Sequence, residues 1–263
     1  MTATKPPILF IHGAWHNGRH WQKVAAELSA AGRETLCIDL PGHGVSYDRS
    51  RTAAVTVDEA ASAVLESIRH LRVKPIVVGH SIGGVIITRA GEREPELMGH
   101  LVYLSGHLPI GLKAPAAYAQ LSEWRTGYGE TLFVGDPART GVVSINPEGD
   151  ETYLEQLREA YYNDVAFADF LPYARALTPD LPVGFWIDET IISAARWGRI
   201  PRTYIRCTQD RALSPAIQSL MIRDADVLTP GNRFRVIDLE SSHSPFASMP
   251  RQLADILGGI EAV

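Results

Sequence analysis

The chain has 263 residues, 45% of them apolar and 21% charged, with a net charge of −5. That size and balance fit one large soluble α/β domain. The acidic balance, with no run of Lys and Arg, excludes an electrostatic nucleic-acid binder. The opening "MTATKPP" is polar, and the apolar run behind it, "ILFI", is too short for a secretory core or a membrane helix. A cytoplasmic protein with no membrane partner is expected. Its two cysteines, Cys37 and Cys207, both lie in apolar strand-like runs. Buried free thiols are expected there, not a disulfide, a metal site or a nucleophile.

In chain order, β-branched runs mark strands at 8–12, 35–39, 75–79 and 101–105. Helix-like stretches lie between them, at about 18–31, 56–71 and 82–93. Strands spaced by helices read as βαβ units, hence a parallel sheet covered on both faces with right-handed crossovers. The rhythm breaks after Pro109. Residues 108–195 carry aromatics, prolines and helical fragments but no clear strand. It then resumes with strands at 202–207 and 234–239 and helices near 214–225 and 249–260. The expected division is therefore a core of 1–107 and 196–263, with 108–195 inserted as a cap over the carboxyl edge of the sheet. Ligands bind at that edge in open parallel sheets.

The chemistry-bearing residues fall at the strand ends. Gly79-His80-Ser81-Ile82-Gly83 matches G-x-S-x-G, after a strand and before a helix. The small residues let a serine sit on a strained turn that lifts its hydroxyl above the sheet. The N–H of Ile82 then lies at a helix start, where it can donate to a developing oxyanion. A phosphate cradle fits worse, because the second glycine of a dinucleotide fingerprint and the lysine of a P-loop are both missing. A serine needs a base, and the base needs an orienting acid. Behind such an elbow the acid follows the serine and the histidine comes last. Of nine histidines, only His243 follows the last strand. Asp210, in the loop after 202–207, is the favoured acid. Asp238 and Glu240 compete by proximity but lie within or just beyond a strand. The strand-end at 101–105 offers Ser105 and Gly106 but no carboxylate. The first strand ends in "HGAWHNGRHW", where Ala14 is the natural second oxyanion donor and Trp15 covers the site. His43, in the loop "DLPGHG", reads as structural.

At these residues the chain resembles the α/β-hydrolase superfamily, and more narrowly the plant-type methyl esterase and hydroxynitrile lyase group. That group includes the salicylic-acid-binding methyl esterases. The resemblance runs through "ILFIHGAWHNGRHWQKVAAELSAAGRETLCIDL", "IVVGHSIGG", "PRTYIRCTQDRALSP" and "SSHSPFA". It implies an α/β-hydrolase fold, a mostly parallel sheet flanked by helices with a helical cap. It implies Ser81, Asp210 and His243 as a triad, and Ala14 and Ile82 as oxyanion donors. The implied activity is hydrolysis of a small-molecule ester or lactone through an acyl-enzyme, with no metal and no cofactor.

Two departures bear on the chemistry. Hydroxynitrile lyases of the group carry a threonine after the strand-end histidine and a lysine after the catalytic histidine. Here those positions are Gly13 and Ser244, so no cation stands ready for cyanide. The esterases usually carry methionine where Ser244 stands, and an apolar aromatic where His107 stands. His107 and Ser244 would both face the acyl pocket and suit a substrate with hydrogen-bonding groups. Tyr118, Trp124, Phe133, Tyr161, Phe185 and Trp186 are the candidate cap walls, and the sequence does not choose among them. The same scaffold also serves cofactor-free dioxygenases, enzymes that rearrange natural products, and hormone receptors, so these readings stay open. So does the oligomeric state, a homodimer included.

Overall fold

The computed structural model describes residues 5–124 and 130–261. In chain order its strands are β1 (Ile8–Ile11), β2 (Thr35–Cys37), β3 (Ile76–His80), β4 (His100–Leu104), β5 (Val142–Ser144), β6 (Asp180–Pro182), β7 (Arg202–Cys207) and β8 (Arg235–Leu239). Six of them form one sheet in the order β2-β1-β3-β4-β7-β8, with every neighbouring pair parallel. The register sets Val78 beside Phe10 on one side and Val102 on the other. The strands β1, β3 and β4 are buried along their whole length. That explains their continuous Ile/Leu/Val runs, since helices cover both faces of such a sheet.

The fold is the α/β-hydrolase fold expected from the sequence. From β1 the chain steps to one side for β2 and to the other for β3. The crevice at this reversal, beyond the carboxyl ends of β1 and β3, is where open α/β sheets place their ligands. The loop "HGAW" and the turn at Ser81 both emerge there. Among the described residues no helix is long and apolar enough to cross a membrane.

Two expectations need correction. Cys37 is exposed, while Cys207 is buried, and both are free. Cys37 ends a three-residue edge strand whose outer side has no neighbour. The inserted segment also contains strands: β5 and β6 pair antiparallel, Val142 with Pro182 through Ser144 with Asp180. Elements of three residues are too short to show a period of two.

This ribbon is tied to the core through Asp180, whose side chain is fully buried. Its carboxylate accepts from Arg49 at 2.8 and 2.9 Å, from Ser144 Oγ at 2.5 Å and from Tyr47 Oη at 2.5 Å. Burial opposes its charge, but these donors outweigh that and hold its pKa below the ordinary value. Tyr47 lies in the loop after β2 and Arg49 opens the short helix Arg49–Ala53 behind it, so the contact joins core to insertion. Asp180→Ala leaves Ser144 and Tyr47 without their acceptor, while Arg49 is already half in water. The expected cost is about 2–3 kcal/mol, read as a lower midpoint in urea unfolding; an unchanged midpoint would show that the tie is idle.

Candidate active site

The turn between β3 and the helix Gly83–Arg93 holds Ser81 at φ +52°. A left-handed backbone at a residue with a side chain costs about 1–3 kcal/mol and persists only when its surroundings enforce it. They do. The Ser81 N–H donates to Leu104 O at 3.2 Å, and its carbonyl accepts from His107 N–H at 2.8 Å. A Cβ at Gly79 would stand 2.7 Å from Gly83 O, and one at Gly83 would stand 2.7 Å from His12 O. Only glycine fits on either flank.

Ala14, Ser81, Ile82 and His243 line one cavity of about 710 Å³. The N–H groups of Ala14 and Ile82 meet no acceptor among the described residues, so both are free for a ligand oxygen. His243 Nδ1 lies 2.7 Å from Asp210 Oδ2. Asp210 is fixed in turn: Oδ1 accepts from Ala212 N and Leu213 N at 2.8 Å each, and Oδ2 also accepts from Gln218 Nε2 at 3.3 Å and from the Ser105 hydroxyl. His80 Nε2 donates to His243 O at 2.9 Å, which anchors the backbone of His243 to the serine turn. Among the described residues the Ser81 hydroxyl makes no hydrogen bond, so its link to His243 is not closed. Such links often tighten only around substrate. The competing acids are elsewhere: Asp238, in β8, pairs with Arg206 at 2.8 Å and Glu240, just past it, accepts from Gln209 at 3.2 Å, both exposed.

Of the aromatic candidates, Trp124, Phe133, Tyr161 and Trp186 line the cavity. Tyr118 and Phe185 are fully buried in the insertion and do not. Trp15 lines it, 5.9 Å from Phe133 and 5.6 Å from Tyr161 between ring centres. His107 lines it too, stacked on Trp124 and edge-on to Trp186. Burial, then the nearby His243, push its pKa down to about 3, so its ring is neutral. Ser244 does not line the cavity: it is fully buried, and its hydroxyl faces that of Tyr162. His43 is buried against His12 and Phe185, with Nδ1 3.1 Å from Pro41 O.

A family model described as the alpha/beta hydrolase family matches residues 8–256. The chain belongs to the alpha/beta hydrolase family. It is 27% identical over 257 residues to a pyrethroid hydrolase of Sphingobium wenxiniae, covering 98% of this chain and 87% of that protein. It is 28% identical over 255 residues to methylesterase 18 of Arabidopsis thaliana, covering 95% of each. The crystal structure of a pyrethroid hydrolase from Sphingobium faniae superimposes with a TM-score of 0.82 at 25% identity, covering 97% of this chain and 96% of that one. The enzyme class that these relatives show is carboxylic ester hydrolase.

Sequence reasoning missed the shell behind this hydrolase-family site. Ser105 and Gln218 on Asp210 gave no signal, because a hydroxyl and an amide have no motif. Gly13 stood out in the sequence only as a departure from threonine, and its packing reason is structural: a Cβ there would stand 2.6 Å from His80 Nδ1 and 2.8 Å from Ser81 Cβ. A threonine does not fit without a shift. The histidines form a buried array, His20 to His16 at 4.6 Å, His16 to His80 at 5.4 Å and His80 to His243 at 4.7 Å between ring centres. Burial, reinforced by the neighbouring rings, holds His12, His16 and His80 well below 6.5, and burial takes His20 down to about 4. These rings are neutral when folded but take protons near pH 6.5 when unfolded. Their contribution is complete above that pH and is lost as pH falls through it, at about 1.4 kcal/mol per pH unit for each ring. Two such rings cost about 4 kcal/mol by pH 5. The unfolding temperature is therefore expected to drop steeply between pH 6.5 and 5; a midpoint constant over that range would mean the rings are not buried neutral.

Proposed function

We propose that this chain is a serine hydrolase that cleaves a small-molecule carboxylic ester through an acyl-enzyme. One observation carries the reading: a strained serine and a histidine already fixed by a buried aspartate open into the same aromatic-walled cavity. His243 Nε2 takes the Ser81 proton as Oγ attacks the ester carbonyl. The oxyanion forms against the N–H groups of Ala14 and Ile82. Asp210 holds the ring in the tautomer that leaves Nε2 bare, and it steadies the imidazolium. The protonated ring then gives its proton to the departing alcohol, and water repeats the steps to free the acid. Nucleophile, base and donors all come from this chain, so the steps call for no metal or cofactor.

The cavity volume exceeds what a methyl ester of a short acid would fill, and Trp15, Phe133, Trp124 and Trp186 wall it. That favours a bulky, largely apolar ester, and it agrees with the pyrethroid hydrolase and methylesterase names of the relatives. His107 adds one polar contact beside the nucleophile. As a neutral ring it can both donate and accept, which suits a hydroxyl, ether or carbonyl on the substrate.

A fluorophosphonate probe is expected to label the wild type and not Ser81→Ala, and Ser81→Ala should lower ester turnover at least about 10⁴-fold. Labelling without turnover of any methyl or p-nitrophenyl ester would instead favour base chemistry by the His–Asp pair on a substrate hydroxyl. His107→Phe should improve wholly apolar esters over hydroxylated or alkoxylated ones by about tenfold or more, as the ratio of kcat/KM values. An unchanged ratio would remove His107 from substrate choice.

A further inference from the structure

The loop that carries Ala14 is held from both sides. Three successive carbonyls are each taken by a donor. Gly13 O accepts from His12 Nδ1 at 2.9 Å and from His16 N–H at 3.3 Å. Ala14 O accepts from His16 Nδ1 at 2.6 Å, and Trp15 O accepts from Thr178 N–H at 2.6 Å. With these peptide planes fixed, the Ala14 N–H is left without an acceptor, at the wall of the cavity. Trp15 pays for the arrangement with φ +61°.

Much of the holding comes from the inserted segment. The Trp15 indole donates to Val143 O at 2.9 Å, and Asn17 Nδ2 donates to Ala176 O at 2.5 Å. His16 is the pivot. Its Nδ1 faces a carbonyl and must carry the proton, so Nε2 is bare and accepts from Tyr162 Oη at 2.7 Å. Tyr162 is buried, belongs to the insertion and does not line the cavity. The four contacts from Val143, Tyr162, Ala176 and Thr178 fall on three consecutive loop residues.

We propose that the inserted segment sets the oxyanion site, with Tyr162 a positioning residue that acts on the Ala14 N–H through His16. The insertion then does more than wall the pocket: its seat on the loop is part of the catalytic geometry. This rests on the proposed role of Ala14 as an oxyanion donor.

The test is Tyr162→Phe, which removes one hydroxyl away from the substrate. Because that hydroxyl also meets Ser244 beside His243, Ser244→Ala is made in parallel. It should keep kcat within about twofold, and a matching fall there would overturn the inference. Losing a whole oxyanion donor costs about 10²–10³ in rate, so a misaimed one should lower kcat about tenfold. KM should stay within about twofold. A trifluoromethyl ketone, which adds to Ser81 and places an oxyanion in the same site, should bind more weakly by the factor lost in kcat/KM. The product acid should bind as before. Tyr153→Phe is the control. Its hydroxyl accepts from Asn146 N and donates to Leu132 O within the insertion and, among the described residues, makes no hydrogen bond to Trp15, His16 or Asn17, so it should lower the melting temperature and leave kcat alone. If Tyr162→Phe does not fold, Trp15→Phe removes the bond to Val143 O and is read by the same ketone-to-acid comparison. A kcat within about twofold of wild type, or a fall that Tyr153→Phe matches, would overturn the inference. Inactive Ser81→Ala keeps the acyl-enzyme reading standing in that event; turnover surviving in Ser81→Ala would take down both.

Discussion

Everything at the site depends on one strained residue. Ser81 has a left-handed backbone on a turn with no room for a Cβ on either flank. Its N–H and carbonyl are both spent on the chain at the end of β4. The hydroxyl therefore cannot relax into a local hydrogen bond and stands in the cavity. The turn must join a buried strand to a helix, and that fixes its place in the middle of the sheet, at the reversal of strand order. Strain here is supported by the neighbouring strand, so Ser81 is as rigid as the sheet.

The Asp210–His243 pair is built by the opposite strategy, with many weak ties in place of one strained turn. Asp210 sits at the end of β7 and collects backbone N–H groups, an amide and a hydroxyl before it meets His243. A buried carboxylate needs such donors, because its desolvation is otherwise costly. His80, inside the serine motif itself, grips the carbonyl of His243. The serine turn and the histidine loop, far apart in sequence, thus share one hydrogen bond and keep their spacing.

The inserted segment contributes on two scales. Its aromatic side chains set the size and polarity of the cavity. Its ribbon and helices reach back onto the core, through Asp180 to the loop after β2 and through Val143, Tyr162, Ala176 and Thr178 to the loop after β1. These contacts hold the segment against the core on that side. Two of the buried histidines, His16 and His20, lie along this seam, on the Tyr162 hydroxyl and the Tyr173 carbonyl.

The sheet, its helices and the positions of Ser81, Asp210 and His243 at strand ends were legible in the sequence. A buried parallel strand needs a continuous apolar run, and a tight strand–helix turn needs glycines at fixed offsets, so both leave local marks. The short strands β5 and β6, the exposed Cys37 and the absence of Ser244 from the cavity wall left none. Three residues carry no period, and edge or wall positions depend on what packs alongside. The same holds for Ser105, Gln218 and Tyr162, whose roles come from hydrogen bonds across long loops. The sequence by itself determined where the reacting groups could stand, because strain and burial are properties of neighbouring residues. Only the tertiary structure decided what holds and walls them, because those contacts join segments whose spacing along the chain is unconstrained.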